Sequence, residues 1–441
     1  MQYSSLNLVS RKKHISAVTS RVKPVKETVK TVAPLCRTIG VTRIADITHM
    51  DILSIPNYSA ILPGTEDYIW VYSGKGTTKL EAKASVMMEC VERYCSLPKH
   101  FDKKIIQGSY DELSKSYPTL HPNEVVEPVR FEYTSDMPMD FIFGFDLFSN
   151  KEIIVPASLS LFRYSPKLPS INPFAYHHTN GLASGNVIEE AICHALCEVI
   201  ERDATSLAQL RTSAIPFNFL HQIHNSLVAN DYPLSPLPMN KFVDDFGVFP
   251  DVDISELHFE AAERLIERFS HARIPLIIKD ITSDIGIPTF NASSIEWLTH
   301  NYGYLTEGHG AHIDARIALL RAITEVSQTR AANIQGARDD LRKITFGENN
   351  TDDKRSWQFM RSKSTVKFSS IKSLFNEDIL DDIKYILSAL KRAGLTKAII
   401  VDLTNDNIGI PVVRAIVPGL ETFKITKSVI GWRGMRYTRN N

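Results

Sequence analysis

The stretch CHALCEVIER, residues 193–202, carries a polar residue, a glutamate four positions on and a second glutamate three positions later. Steps of four and three keep such side chains on one face of an α-helix. Related spacing occurs in ASVMMECVER (84–93) and LRAITEVSQTR (320–330). The positions are Ser85, Glu89 and Glu92; His194, Glu198 and Glu201; and Arg321, Glu325 and Gln328. The sequence predicts three related helices, over about residues 79–97, 187–209 and 312–334.

Glycines precede these helices at fixed distances from the first polar residue: eleven residues in the first and third copies and nine in the first and second. Gly74 and Gly310 are the pair at eleven residues, and Gly76 and Gly185 are the pair at nine. Separately, DITSDIGIP (280–288) resembles DLTNDNIGIP (402–411), and a predicted helix and strand precede each. Such repeats predict an α/β (α+β) protein with pseudo-symmetric halves built from repeated strand–helix units.

The acidic faces of the first two helices indicate a metal site. Apolar residues surround the glutamates, so these faces are expected to point inward, where unpaired carboxylates are costly. Carboxylate oxygens suit Mg²⁺, which takes one or two of them per ion, so four or five predict more than one Mg²⁺ bridged by a polyphosphate. Arg93 and Arg202 follow the last glutamates and would neutralise phosphate oxygens. The alternative is a pair of ordinary amphipathic helices with solvated charges.

Bulk composition narrows the class of protein. The chain has 441 residues, 43% of them hydrophobic, and a formal net charge of zero, which argues against a general nucleic-acid binder. No apolar run reaches the roughly 18 residues of a membrane span, and the N-terminus lacks the apolar segment of a signal peptide. We therefore expect no membrane and a cytoplasmic protein. The five cysteines show no zinc-type spacing and are interpreted as small buried thiols, with a redox role as the alternative.

Residues 1–35 are interpreted as a basic N-terminal arm, because lysine and arginine dominate between residues 11 and 30. The arm is expected to be solvated, or to dock an acidic partner. A catalytic domain is predicted over residues 36–441. The chain contains no GxxxxGK[ST] phosphate loop, GxGxxG motif, HExxH motif or nucleophile elbow. The lack of a nucleophile fits phosphoryl transfer, where positioning and electrostatics carry most of the catalysis.

Three blocks of sequence resemble the signature blocks of the YcaO family. They are SGKGTTKLEAKASVMMECVERY (73–94), TNGLASGNVIEEAICHALCEVIERDA (179–204) and IPVVRAIVPGLE (410–421). The resemblance implies a YcaO-type domain around a central nucleotide site. It also implies an enzyme that uses ATP and Mg²⁺ to activate a backbone amide of a peptide or protein.

The resemblance also implies residue roles. Those carried over to ATP are Ser85, Glu89, Asn186, Glu190 and Arg202, together with a later arginine for which Arg321 and Arg338 are candidates. Arg321 is preferred because it occupies the repeat position of Ser85 and His194. Those carried over to Mg²⁺ are Glu89, Glu92, Glu190, Glu198 and Glu201. Arg202 and Arg321 are the expected catalytic residues.

The product is less directly implied. Azoline-forming YcaO members end in a PxPxP tail, whereas this chain has no proline after Pro418. A peptide thioamide is therefore expected, as in members that act with a TfuA-like partner and an external sulfide source; archaeal members of that type resemble enzymes that make thioglycine. With no evident leader-binding domain, a partner is expected to present the substrate, and a homodimer is left open. The alternatives are an azoline-forming cyclodehydratase of a ribosomal peptide pathway and a non-catalytic nucleotide-binding scaffold.

Overall fold

A computed structural model describes residues 6–14, 20–65, 68–212, 225–231, 249–297, 303–337, 357–426 and 429–439. Its longer helices are α1 Val25–Thr38, α2 Lys79–Ser96, α3 Ile188–Thr212, α4 Glu260–His271, α5 Ala315–Gln335, α6 Ile379–Arg392 and α7 Trp432–Arg439. Single α-helical turns cover Tyr110–Leu113, Ala157–Ser160 and Phe423–Thr426. Short 3-10 turns cover Thr48–Met50, Pro98–His100, Pro122–Glu124 and Phe368–Ser370. None of the described helices is long and apolar enough to cross a membrane.

Fourteen described strands form three sheets. They are β1 Arg43–Asp46, β2 Asn57–Thr65, β3 Tyr68–Lys75, β4 Ile105–Ser109, β5 Pro138–Asp146, β6 Lys151–Pro156, β7 Leu182–Ser184, β8 Asp251–Asp253, β9 Leu276–Asp280, β10 Thr289–Trp297, β11 Gly303–Ala311, β12 Thr365–Lys367, β13 Ile399–Asp402 and β14 Val412–Ile416. The strand orders are β1-β2-β3, β11-β10-β9-β8-β12 and β4-β5-β13-β14-β7, with β6 beside β5. The paired strands in these sheets are antiparallel, except that β8 and β12 are parallel.

The three predicted helices are α2, α3 and α5, and each directly follows a strand: β3, β7 and β11, respectively. Helix α2 packs on β3, α3 packs on β7 and β14, and α5 packs on β11. The prediction of a mixed α/β fold built from repeated strand–helix units is therefore confirmed. The repeats place one face of all three helices toward the centre of the molecule.

Glycines allow the strands to approach the repeat helices closely. A Cβ on Gly74 would lie 2.3 Å from the carbonyl oxygen of Ala82, and one on Gly310 would lie 2.1 Å from that of Ala318. Both contacts are eight residues apart in sequence, so the two units share the same geometry. Because any side chain would collide with helix backbone here, the glycines fix the distance between strand and helix.

The second predicted repeat, around DITSDIGIP and DLTNDNIGIP, is also confirmed in detail. In each copy the aspartate accepts the N–H of a threonine two residues on, at 3.0 and 2.9 Å. The threonine hydroxyl accepts the N–H that begins the following strand, at 3.1 Å in both copies. The residues are Asp280, Thr282 and Thr289 in the first copy and Asp402, Thr404 and Val412 in the second.

Three large apolar clusters surround the centre. One lies between α1, α2 and the six-stranded sheet, the second around α3 and α6, and the third between α4, α5 and the five-stranded sheet. All five cysteines are buried and unpaired, as the sequence predicts. The predicted domain boundary near residue 36 falls within α1 and stays a prediction.

The described part of the basic N-terminal segment is not solvated throughout, contrary to expectation. Lys13 Nζ lies 2.5 Å from Asp382 Oδ2, and both side chains are buried. Val9 and Arg11 hydrogen-bond the carboxylate of Glu189 at the start of α3. The segment is held because its cations meet carboxylates of α3 and α6 that would otherwise be buried without partners.

Candidate functional site

A cavity of about 590 Å³ lies where α2, α3 and α5 converge. All nine repeat positions line it: Ser85, Glu89, Glu92, His194, Glu198, Glu201, Arg321, Glu325 and Gln328. Asn186, Glu190 and Arg202 line it as well. The structure thus brings together every predicted site residue except Arg338, which lies outside the described residues. The inward orientation of the acidic faces is confirmed, and the alternative of solvated helix faces is excluded.

Asn186 and Glu190 form one corner of the cavity. Glu190 is 3% exposed and accepts hydrogen bonds from the side-chain and backbone N–H groups of Asn186, at 3.0 and 3.2 Å. Arg21 Nη1 and the backbone N–H of Val22 donate to the same carboxylate at 3.0 and 3.1 Å. Thr28 donates to Asn186 Oδ1 at 2.9 Å. The N-terminal segment therefore closes this corner.

The carboxylates at the centre of the cavity outnumber their close cations. Burial raises the pKa of Glu92 well above its usual range, and Glu89 and Glu198 raise it further, although Arg93 opposes them. Burial also raises the pKa of Glu198 and raises that of Glu201 to about 7. The facing arginines are loosely placed: Arg202 Nη2 lies 3.8 Å from Glu201, and Arg93 Nε lies 4.0 Å from Glu92. The cluster favours an added cation.

Glu325 in the third copy differs from the corresponding Glu89 and Glu198. Its carboxylate lies 2.5 Å from Lys75 Nζ. Burial would raise the pKa of Glu325, but Lys75 and Arg202 lower it below its usual range. Gln328 donates to the backbone carbonyl of Ser73 at 2.7 Å. The third copy therefore has a satisfied carboxylate and fixes β3 rather than adding to the unmatched negative charge.

A positive region lies at another side of the cavity. Arg321 Nη2 and Arg21 Nη2 each lie 3.3 Å from His194 Nδ1. Burial lowers the pKa of His194 well below its usual range, and the two guanidinium groups lower it further. The one acceptor lone pair of a neutral imidazole is shared by both arginines, so His194 holds two cations side by side. Arg321 also donates to the carbonyl of Ala311 at 2.9 Å.

Sequence reasoning did not assign Lys75, Arg21 or His194 to the site. His194 and Glu325 occupy repeat positions, and Lys75 ends β3 between Gly74 and Gly76, so a stricter use of the repeat could have identified them. Arg21 lies 169 residues from Glu190, and no local pattern connects the two.

The donor set fits Mg²⁺ with a polyphosphate. Hard carboxylate oxygens of Glu89, Glu92, Glu198 and Glu201 line one wall, and burial raises the pKa of three of the four despite the nearby arginines. Arg321 and Arg21 converge on another side, where they can pair with phosphate oxygens. An anion alone would not relieve the carboxylates, and a cation alone would not engage the arginines. A metal–polyphosphate complex satisfies both groups.

Comparisons with known proteins agree with this geometry. Residues 73–421 match the family described as YcaO cyclodehydratase, ATP- and Mg²⁺-binding. An uncharacterized protein of Methanothermobacter thermautotrophicus is 34% identical over 418 residues, covering 93% of this chain and 97% of its own. An uncharacterized protein in the tfuA 3' region of Rhizobium leguminosarum bv. trifolii is 26% identical, covering 90% of this chain and 87% of its own.

Two solved structures share the fold. YcaO from Methanopyrus kandleri, bound with AMPPCP and Mg²⁺, has a TM-score of 0.68 and 24% identity, covering 93% of this chain and 95% of that one. A heterocyclase in complex with substrate and cofactor has a TM-score of 0.74 and 22% identity over 96% of this chain. The present chain spans 55% of that heterocyclase, so about half its length.

Proposed function

The chain belongs to the YcaO family, whose members are ATP-dependent enzymes with ATP and Mg²⁺ as cofactors, and on that premise we propose that it activates a backbone amide of a peptide or protein to install a thioamide. The observation that carries amide activation is the cavity in which unmatched carboxylates face converging arginines. This arrangement suits a magnesium–nucleotide complex rather than a redox cofactor or a covalent nucleophile.

The side chains have separate roles in this proposal. Glu89, Glu92, Glu190, Glu198 and Glu201 would hold Mg²⁺, which supplies charge neutralisation at the transferred phosphate when bound. Ser85 and Asn186 would donate hydrogen bonds to the nucleotide. Arg202 and Arg321 would stabilise the negative charge that develops on phosphate oxygens. The role of Arg338 stays a prediction.

The proposed reaction proceeds in two stages. The amide oxygen bonds to the γ-phosphorus of ATP while the bond to the β-phosphate oxygen breaks, and ADP leaves. Hydrosulfide then adds its electron pair to the activated carbon. The carbon–oxygen bond breaks, and phosphate leaves with the original amide oxygen and the S–H proton, giving the thioamide. No change of oxidation state is required.

The thioamide product is supported by the Rhizobium relative, which is described by its place in the tfuA 3' region. A TfuA-like partner and an external sulfide source are therefore part of the proposal. A second candidate is azoline formation, which is supported by the family's description as a cyclodehydratase and by the fold shared with a heterocyclase. The two products differ in mass, because an azoline loses one water whereas a thioamide exchanges oxygen for sulfur.

The test combines ATP consumption with mass spectrometry of the peptide product, using the full chain, its partner, candidate peptides and sodium sulfide. We expect peptide-dependent ATP hydrolysis and oxygen-to-sulfur exchange, both abolished by Glu89→Ala and by Glu201→Ala. Arg264→Ala, on an exposed face of α4, is the matched control. Loss of one water would indicate the azoline. Normal turnover by both glutamate variants would contradict amide activation at this cavity, and nucleotide binding without peptide-stimulated hydrolysis would indicate a scaffold.

A further inference from the structure

A second, smaller pocket of about 50 Å³ lies behind the central cavity, between the C-terminal end of β14 and the loop that precedes β7. Its walls are mostly apolar and include Val125, Leu159, Val199 and Leu420. Arg414 and Asn180 also line it. The volume suits a species of one or two heavy atoms, because a water molecule in the liquid takes up about 30 Å³.

Five polar residues line the pocket, and two of them, Arg414 and Asn180, carry atoms that call for a partner; the others are Glu127, His178 and Thr422. Arg414 is 5% exposed, and its Nε is buried with no hydrogen-bond partner among the described residues. The Oδ1 of Asn180 is likewise buried and accepts no hydrogen bond within the described part of the chain. One is a donor and the other an acceptor, so a small species that both accepts and donates a hydrogen bond would satisfy them together.

Arg414 is otherwise firmly held. Its Nη2 lies 3.2 Å from His178 Nδ1, and His178 Nε2 lies 2.8 Å from the carboxylate of Glu127. Burial lowers the pKa of Arg414 to about 10, although Glu198 and Glu127 oppose this, so the guanidinium remains charged at neutral pH. A guanidinium with an unused Nε–H in a mostly apolar pocket favours a weakly hydrated anion, which loses less hydration on entering, over a strongly hydrated one.

Only a thin partition separates this pocket from the central cavity. Val199 lines the small pocket, and its neighbour Glu198 on α3 lines the cavity. Arg414 pairs in β14 with Leu182 of β7, which lines the cavity. A molecule beside Arg414 is therefore one layer of side chains from the carboxylates that would hold Mg²⁺.

We propose that the pocket between Arg414 and Asn180 binds hydrosulfide, or hydrogen sulfide, as the nucleophile that enters the thioamide. This inference rests on the proposed thioamide function. Hydrosulfide is small, accepts a hydrogen bond from a guanidinium and donates a weak one through its S–H. Its sulfur also packs well against apolar side chains. The pocket would hold the nucleophile one layer of side chains from the cavity in which the amide is activated.

The test measures thioamide formation by the full chain with its partner and peptide as a function of sodium sulfide concentration. Asn180→Leu keeps the volume but removes the acceptor, and Asn180→Asp adds a negative charge beside the anion. We expect the KM for sulfide to rise about fivefold in Asn180→Leu and further in Asn180→Asp. The KM for ATP should stay within about twofold, because only sulfide binding is changed. Asn407→Leu, the same change at an exposed position between β13 and β14, should leave both values unaltered.

Three results would overturn the inference. An unchanged KM for sulfide in both Asn180 variants would mean that the pocket holds a structural water only. Thioamide formation that does not depend on added sulfide would mean that no free hydrosulfide binds. A wild-type product that lacks sulfur would instead refute the thioamide function itself, and would be seen before any variant is compared. Thermal unfolding of each variant separates loss of the fold from loss of binding.

Discussion

The buried ion pairs that join parts of the fold and the charged groups of the central cavity differ in how completely each charge is matched. Arg330 and Asp51, each with a side chain 2% exposed, meet through two hydrogen bonds of 2.9 Å. Arg433 and Asp203 meet through two of 3.0 and 2.8 Å. In both, guanidinium and carboxylate are paired in the two-pronged geometry that is strongest.

At the centre of the cavity, by contrast, the arginines beside Glu92 and Glu201 are near these carboxylates but poorly paired with them. Arg202 lies 3.8 Å from Glu201 and Arg93 lies 4.0 Å from Glu92, whereas the guanidinium–carboxylate distances in the structural pairs are 3.0 Å or less. Buried charged groups therefore have two uses in this protein. The paired groups are complete within the protein, whereas the cavity is completed by a ligand.

The largest expected effect is on turnover. Glu198→Gln removes one negative charge from the proposed Mg²⁺ site while keeping the size of the side chain. We expect peptide-dependent ATP consumption to fall about a thousandfold, with a melting temperature at or above that of the wild type. Phosphate release and thermal unfolding on the same preparation check this. A Glu198→Gln enzyme with full turnover would show that the unmatched carboxylate is not part of the catalytic site.

A substitution in one of the structural ion pairs should lower the stability of the protein rather than its affinity for the nucleotide. Asp51→Ala leaves Arg330 buried without its carboxylate, which typically costs about 3–5 kcal/mol of unfolding free energy. Chemical denaturation measures the loss, and any protein that remains folded should keep its affinity for the nucleotide. A stability loss no larger than that of Glu198→Gln would remove the distinction between the two regions.

The raised pKa of Glu201 predicts a pH-dependent difference in stability. Between the unfolded value of 4.5 and the folded value of about 7, the folded chain holds a proton that the unfolded chain has lost. The stabilising protonated form is therefore lost as pH rises through this window. Without metal, the unfolding free energy of Glu201→Gln should match that of the wild type at pH 4.5. At pH 8 it should exceed the wild-type value by on the order of 3 kcal/mol at most.

Unfolding curves for both proteins at several pH values give this difference directly. The buried histidines with lowered pKa, such as His309, act in the opposite direction, but they cancel in the comparison of variant with wild type. A difference that does not change with pH would contradict a raised pKa at Glu201.

The smallest effect is expected for an exposed pair. Arg264 and Glu260 form an ion pair on the surface of α4, with side chains 70% and 76% exposed. Arg264→Ala should change the unfolding free energy by about 0.5 kcal/mol or less and leave turnover unchanged. The same measurements provide the baseline for the other variants. A larger change would mean that exposure is a poor guide to which charges matter in this protein.

The sequence was most informative where the structure depends on local spacing. The four-and-three steps that place Glu198 and Glu201 on one face need only helical geometry, so the acidic faces and the helices could be predicted. The glycines before the helices could be recognised because their distances recur. The aspartate–threonine turns repeat for the same reason.

Contacts between distant parts of the chain could not be predicted in this way. Lys75 meets Glu325 across 250 residues, and Arg21 meets Glu190 across 169. The basic segment was expected to be solvated because its composition is polar, but Lys13 is buried against Asp382. The composition of a segment predicts its charge, but it does not predict which carboxylates the fold places next to it.

Calorimetric titration of the protein with AMPPCP, with and without Mg²⁺, tests whether a magnesium–nucleotide complex completes the charged groups of the cavity. Repeating it near pH 7 in buffers of different ionisation enthalpy counts the protons released. We expect tight binding only with Mg²⁺, accompanied by release of a proton to the buffer as the Glu201 carboxyl group ionises. Equal affinity without Mg²⁺ and no proton release would contradict a cavity whose carboxylates are completed by a magnesium–nucleotide complex.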